Sequence, residues 1–228
     1  MGRVAELGGL SGSFSVAGLS VEQYLRLLAG ADPVPGGGCA AAVAGAQGAA
    51  LVAMVARLAH RRADQEAWAA RLEQAVQAAE ERCRRLRALA DEDAEAYHQV
   101  MRAYRLPRTT DREREIRGEA VRQALARAAE VPLSVAETAV QALEVLVELL
   151  PAVPSSVLPD AAVAGWLLRA CVEGCAVNVR ANWQAMRKAP GEGPHQLEAL
   201  LGRSRRLFDE LRSHLGALAN GGVLPAGV

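Results

Sequence analysis

The chain has 228 residues, enough for one large domain or two small ones, and 51% of them are hydrophobic, so a core can form without disulfide or metal staples. Acidic and basic residues balance at 26 each, which argues against the net basic field of a general nucleic-acid binder. Cys39, Cys83, Cys171 and Cys175 form no CxxC pair and no continuous apolar leader opens the chain, so the expectation is a cytoplasmic protein with reduced thiols.

Residues 1–19 are rich in Gly and Ser without a period, and read as a flexible lead. Ser20-Val-Glu-Gln23 matches a capping box. It predicts a short helix over about 20–30 with Val21, Tyr24, Leu25 and Leu28 on one face. Asp32-Pro-Val-Pro35 stops it, and three glycines follow at Gly36, Gly37 and Gly38. They head a slim helix over 37–62 built almost wholly of Ala, Gly and Val. A long charged helix is predicted over 64–105, with Leu72, Val76, Ala79, Cys83, Leu86, Ala90, Tyr97, Val100, Met101 and Tyr104 at helical spacing. Leu106-Pro107 ends it.

Thr110 can cap the next helix, over 111–130. Pro132 is expected to break or kink the chain there, with a separate helix running on to Leu150. Residues 151–159 read as a loop, and Asp160 opens a helix that reaches Met186. A Pro/Gly turn at 190–194 precedes a last amphipathic helix over 195–219. The expected class is all-α, a bundle of six or seven helices, several of them long, with one domain over 20–220 and a tail over 221–228. The uncharged stretch from Pro33 to Ala56 is long enough to span a bilayer. Its Ala and Gly gain little from lipid, so a buried helix of a protein without a membrane role is expected.

The glycine triplet admits two readings. The first amides of a helix are unpaired and the helix dipole is positive there, so Gly36, Gly37 and Gly38 can seat an anion or a carbonyl oxygen. The other reading is close helix packing along the small flank Gly38, Ala41, Ala42, Gly45, Gly48, Ala49. It is not a P-loop, because Cys39 stands where Gly-Lys-Ser/Thr would continue.

In Asp91-Glu92-Asp93-Ala94-Glu95 the acids differ. Asp93 falls on the apolar stripe, whereas Asp91 and Glu95 lean with His98 toward water. A carboxylate among apolar groups must be paired, protonated or used, and burial suits it to proton transfer near neutrality. A buried helix-to-helix hydrogen bond is the alternative role. In the helix from 160, Asp160 reads as an N-cap. Asn178 and Asn182, four apart, can offer both amides to one partner. Arg61 closes the slim helix and Arg108 the long one; either can meet an anionic tail or serve its own helix C-terminus. No two histidines share a face at metal-ligand spacing, so no metal is expected.

Four blocks in order, DPVPGGGCAAAVAGAQGAALVAMVARL, DEDAEAYHQVMRAYRLPR, AAEVPLSVAE and PDAAVAGWLLRACVEGCAVNVRAN, resemble the formiminotransferase-cyclodeaminase family and its methenyltetrahydrofolate cyclohydrolase relatives over residues 18–215. The companion formiminotransferase domain is absent from this sequence. The resemblance implies an all-helical homodimer that binds a tetrahydrofolate derivative as substrate. It implies closure of 5-formiminotetrahydrofolate with loss of ammonia, or hydrolysis of 5,10-methenyltetrahydrofolate. Mapped onto this sequence, it marks Gly36, Gly37 and Gly38, the acids Asp91 and Asp93, Asp160, and the pair Asn178 and Asn182. Asp93 is assigned the proton-transfer role, with Asp160 or Asn178 orienting. Gly36–Gly38 and Cys39 seat a carbonyl or carboxylate, and Arg61 and Arg108 steer the anionic tail.

The chain departs from the family pattern. Cys39 stands where Ser is usual, PAVPSSVLPD replaces a Gly-Asn-x-Asn run, and Leu106-Pro107-Arg108 replaces Leu-Pro-Lys. Arg stays protonated, so it cannot exchange a proton as Lys can. The alternative function is therefore a catalytically silent helical dimer that keeps the fold and binds folate.

Overall fold

The computed structural model describes residues 15–61, 66–186 and 195–219. Among them are six α-helices: α1 (Val21–Leu28), α2 (Gly37–His60), α3 (Glu66–Tyr104), α4 (Asp111–Leu149), α5 (Leu158–Ala185) and α6 (His195–Ala219). The all-α expectation holds. The expected tail over 221–228, the turn at 190–194 and most of the N-terminal lead lie outside the described residues.

Local chemistry explains the helix starts. Ser20 caps α1 in a full capping box: its hydroxyl accepts from the Gln23 amide, and the Gln23 side chain accepts from the Ser20 amide. Thr110 and Glu113 do the same for α4. The 151–159 segment is not a plain loop: short 3-10 turns occupy Leu150–Ala152 and Ser155–Val157, and α5 already begins at Leu158.

The core is built around α2, whose buried residues are nearly all Ala, Gly and Val. Slim side chains let three long helices approach it at once. α3 runs antiparallel to it, with Gly38 against Asp93 at one end and Arg57 paired to Glu80 further on. α5 is also antiparallel, with Ala41 facing Gly174, Gly45 facing Cys171 and Gly48 facing Leu168. A Cβ at Gly48 would lie 2.8 Å from Leu168 Cγ and 3.1 Å from the Ala164 carbonyl oxygen, so this helix pair closes only over glycine. α4 packs across α3 and α5, and α6 covers α4 and α5. By length and composition α2 and the segment Ser155–Ala185 could each cross a bilayer, yet most of α2 and half of that segment's apolar window are enclosed by the bundle.

Pro132 departs from expectation. It neither ends nor divides the helix: α4 is continuous from Asp111 to Leu149 with Pro132 buried inside it. Proline lacks the N–H that would bond the carbonyl four residues back, which here is Ala128. The side-chain amide of Asn182 on α5 donates to that carbonyl at 2.7 Å. A neighbouring helix thus satisfies the acceptor that the proline leaves open, and the bond ties α5 to α4.

Two substitutions isolate this pairing. Asn182→Ala is expected to lower stability by about 1–3 kcal/mol, the range for orphaning a buried polar group. In a Pro132→Ala background the new amide bonds Ala128 itself, so the same change is expected to be near neutral. Equal losses in both backgrounds, by denaturant titration, would refute the pairing.

Candidate active site

The first turn of α2 starts at Gly36, whose extended backbone (φ −113°, ψ −163°) offers no side-chain cap. The missing cap comes from another helix. Asp93 of α3 accepts a hydrogen bond from the Cys39 backbone N–H, the third amide of α2. An N-cap aspartate would occupy the same place. Gly38 makes this possible: a Cβ there would sit 2.4 Å from Asp93 Oδ1 and 2.7 Å from Oδ2. The glycine is required because a carboxylate fills its side-chain volume. The two sequence readings of the triplet therefore coincide, since the close packing is against an anion.

Two effects oppose one another at Asp93. The Cys39 amide favours the charged form, while burial disfavours it more strongly, so the carboxyl is pushed above its ordinary value. The side chain is half-buried. The thiols of Cys39 and Cys175 lie near it, and the Tyr24 phenol lies beside Cys39. Cys39 is fully buried, and burial together with the nearby Asp93 and Asp91 charges pushes its thiol up to about 12. Burial likewise pushes Tyr24, beside Cys39, up to about 12. Cys175 of α5 is buried, shares a hydrogen bond with Cys171, lies within the field of Asp93, and is raised well above its usual value. These groups stay protonated at neutral pH. Cys39 is a neutral donor and no nucleophile.

Asp91 plays a different part from the one expected. It does not simply face water: its carboxylate accepts from the Ser15 hydroxyl at 2.9 Å and the Val16 amide at 2.6 Å. It thereby latches the 3-10 turn Val16–Gly18 onto α3, inside the stretch expected to be a flexible lead. Val16 and Leu19 then form one wall of a groove of about 340 Å³, whose other walls are Val43, Gln47 and Ala50 of α2 and Cys83, Arg87 and Ala90 of α3.

The structure separates the predicted site residues into two groups. Gly36, Gly37, Gly38, Cys39 and Asp93 meet at the N-terminal end of α2, and the α2–α5 register carries Asn178 to the same end. Asp160 lies fifteen residues before Cys175 on α5, about 22 Å along the axis. It is also not the N-cap: Val157 holds that position and Asp160 sits within the first turn. Arg61 is at the far end of α2, about 35 Å from Gly38. Arg108 is exposed beyond the end of α3. Within one chain, then, Asp160 and Arg61 do not join Asp93. Nor do Asn178 and Asn182 share a partner: Asn178 donates to the Gly174 carbonyl at 2.9 Å within its own helix, and Asn182 to Ala128. Asn182 is consumed by the fold, while Asn178 keeps its carboxamide oxygen. No group of three or more His, Cys, Asp or Glu that could hold a metal comes together among the described residues.

An up-and-down helical bundle whose glycine-headed inner helix is capped by a half-buried carboxylate defines the class of protein, and comparison with known proteins narrows it. The formiminotransferase-cyclodeaminase family model matches residues 20–190. The chain belongs to that family. It is 32% identical over 200 residues to methenyltetrahydrofolate cyclohydrolase of Methylorubrum extorquens, an alignment covering 85% of this chain and 96% of that one. It is 32% identical over 172 residues to mouse formimidoyltransferase-cyclodeaminase, covering 75% of this chain and 32% of the mouse protein, so it spans about a third of that relative. The crystal structure of formiminotetrahydrofolate cyclodeaminase from Thermotoga maritima superposes with a TM-score of 0.78 at 27% identity, covering 90% of this chain and all of that one.

The capping geometry sets a stability prediction. Asp93 holds its proton more tightly folded than unfolded, so its ionisation opposes folding. That handicap is absent below the unfolded pKa, grows as pH rises toward the raised folded value, and is complete once pH has passed it. Asp93→Asn keeps an acceptor for the Cys39 amide and removes the charge. Its melting temperature at pH 7 is expected to equal or exceed the parent's, with the difference vanishing in acid. Gly38→Ala, which drives a methyl group into the carboxylate, is expected to lose about 1–3 kcal/mol. Thermal melts across pH check both.

Proposed function

We propose that this chain is a folate one-carbon enzyme acting at the carbon held by N5 and N10 of tetrahydrofolate. Either it closes 5-formiminotetrahydrofolate to 5,10-methenyltetrahydrofolate with loss of ammonia, or it hydrolyses 5,10-methenyltetrahydrofolate. The observation that carries this reading is Asp93: a carboxylate with a raised pKa, positioned by a backbone amide and the bare Gly38, and partly open to solvent. The similarity to a cyclohydrolase that aligns over nearly its whole length and to a cyclodeaminase of the same fold supports it.

The chemistry asks for one proton carrier beside a cationic carbon centre. In ring closure N10 attacks the formimino carbon, the N10 proton passes to a base, and the former imino nitrogen departs as ammonia after accepting a proton. In hydrolysis water adds to the methenyl carbon, gives up a proton, and one carbon–nitrogen bond opens. Asp93 serves both courses, as base in the first step and acid in the second. Its charge also stabilises the cationic amidinium of the substrate. The Gly37 and Gly38 amides belong to the same first turn and suit an acceptor such as a carboxylate or carbonyl of the substrate. Asn178, with its free carboxamide oxygen, suits a donor edge of the pterin.

Absorbance of the methenyl form in the near ultraviolet, followed with each substrate in turn, tests the reading. A rise with 5-formiminotetrahydrofolate or an accelerated fall with 5,10-methenyltetrahydrofolate is expected. Asp93→Asn is expected to lower the active reaction by about 10²-fold or more, the range for losing a general acid–base. An inert parent protein, or a fully active Asn variant, would overturn it.

We further infer a cytoplasmic homodimer. All four cysteines are free, which suits a reducing compartment. The outer face of α5 exposes Val163 (43%), Trp166 (42%) and Val177 (67%), spaced to share one stripe. Such a stripe is the kind of surface that a second copy covers. Sedimentation is expected to give twice the 24.0 kDa chain mass, and Trp166→Glu to give a folded monomer.

A further inference from the structure

Tyr24 is a half-buried titratable group, its hydroxyl enclosed, that the chemistry above leaves unused. It sits on α1, a helix that buries none of its residues and leaves Val21 and Leu25 open to solvent. A tyrosine on such a helix could turn its hydroxyl to water. Instead the hydroxyl is buried and meets no hydrogen-bond partner of good geometry. Its neighbour is the thiol of Cys39, which in turn lies in the field of Asp93. A thiol is a weak donor and a weak acceptor, so it does not satisfy a phenol. Buried hydroxyls without partners are rare and call for a reason, because the chain gains nothing structural from hiding one.

Position supplies the reason. Cys39 contributes both the amide that holds Asp93 and the thiol that Tyr24 faces. The hydroxyl is therefore one residue removed from the carboxylate, at the same end of α2 as Gly36–Gly38. Near that carboxylate, Cys39 offers a backbone amide and a thiol, and Cys175 a second thiol, both thiols weak donors. A substrate bearing carbonyl oxygens and ring nitrogens needs a strong neutral donor, and the phenol is one.

We propose that the Tyr24 hydroxyl is a substrate-binding donor of the Asp93 site, bonding an acceptor atom on the planar ring of the bound folate. The inference rests on the folate reading. α1 delivers this donor from the surface of the bundle, with the Tyr24 ring packed against the core. Burial and the adjacent thiol hold the phenol protonated, at about 12, so it donates throughout the neutral range and does not compete with Asp93 as a base.

Tyr24→Phe keeps the ring and removes only the oxygen. An idle hydroxyl and a binding hydroxyl then give opposite patterns. The melting temperature of the ligand-free variant is expected to equal or exceed that of the parent, because an orphaned polar atom is gone. Its dissociation constant for tetrahydrofolate, by calorimetry, is expected to rise about tenfold, as for one lost hydrogen bond, with KM rising alongside and kcat moving less. If the parent binds and turns over folate and the Phe variant matches it in both Kd and KM, the role of Tyr24 is overturned and the folate reading stands. If the parent neither binds nor turns over folate, the folate reading fails and this inference goes with it.

Discussion

A carboxylate seated on the N-terminus of a helix is the interaction on which the rest of this structure depends. The first amides of α2 have no partners within the helix, and Gly36 offers no capping side chain. Asp93 supplies the acceptor from α3, and it reaches only because Gly38 has no side chain to keep it out. One contact thereby aligns α2 with α3, fills a void, caps a helix and leaves a carboxyl with a raised pKa partly open to solvent. A structural role and a chemical role rest on the same atoms, so the aspartate need not be classed as one or the other.

The thinness of α2 extends this logic down the bundle. Ala, Gly and Val let α3, α4 and α5 all lie against it. Where α5 comes closest, at Gly45 and Gly48, the space is taken by Cys171 and Leu168. A bundle packed this closely has little room for polar loose ends, and the Asn182–Ala128 bond shows how one is handled. Charged pairs on the outside, such as Glu92 bridging Arg85 and Arg127, add alignment between α3 and α4 and little stability.

Much of the site was legible in sequence because helical periodicity is a local rule. Asp93 fell on the apolar stripe of its helix, and it is indeed turned inward while Glu95 is exposed. Other features depend on what periodicity cannot see. Asp160 and Arg61 have suitable chemistry, but axial distance removes them from Asp93 within one chain, and only the antiparallel register reveals that. Pro132 should have broken its helix on propensity alone. A partner 54 residues away supplies the bond that rescues it. Asp91 looked solvated and is instead occupied by the Ser15 and Val16 groups.

By itself the sequence determined the all-helical class, most helix limits, the Ser20 capping box and the Thr110 cap, the slimness of α2 and the inward turn of Asp93, because each depends on residues within a few positions of one another. The resemblance to the folate family was likewise carried by short blocks in order. Tertiary structure alone decided what those residues meet. It put the Asp93 carboxylate into the vacancy at Gly38, gave Asn182 to a carbonyl of α4, hid the Tyr24 hydroxyl beside Cys39, and parted Asp160 from the glycine end. Such pairings depend on which helices lie side by side and in what register, and that is set by the packing of the whole core, not by any local stretch of chain.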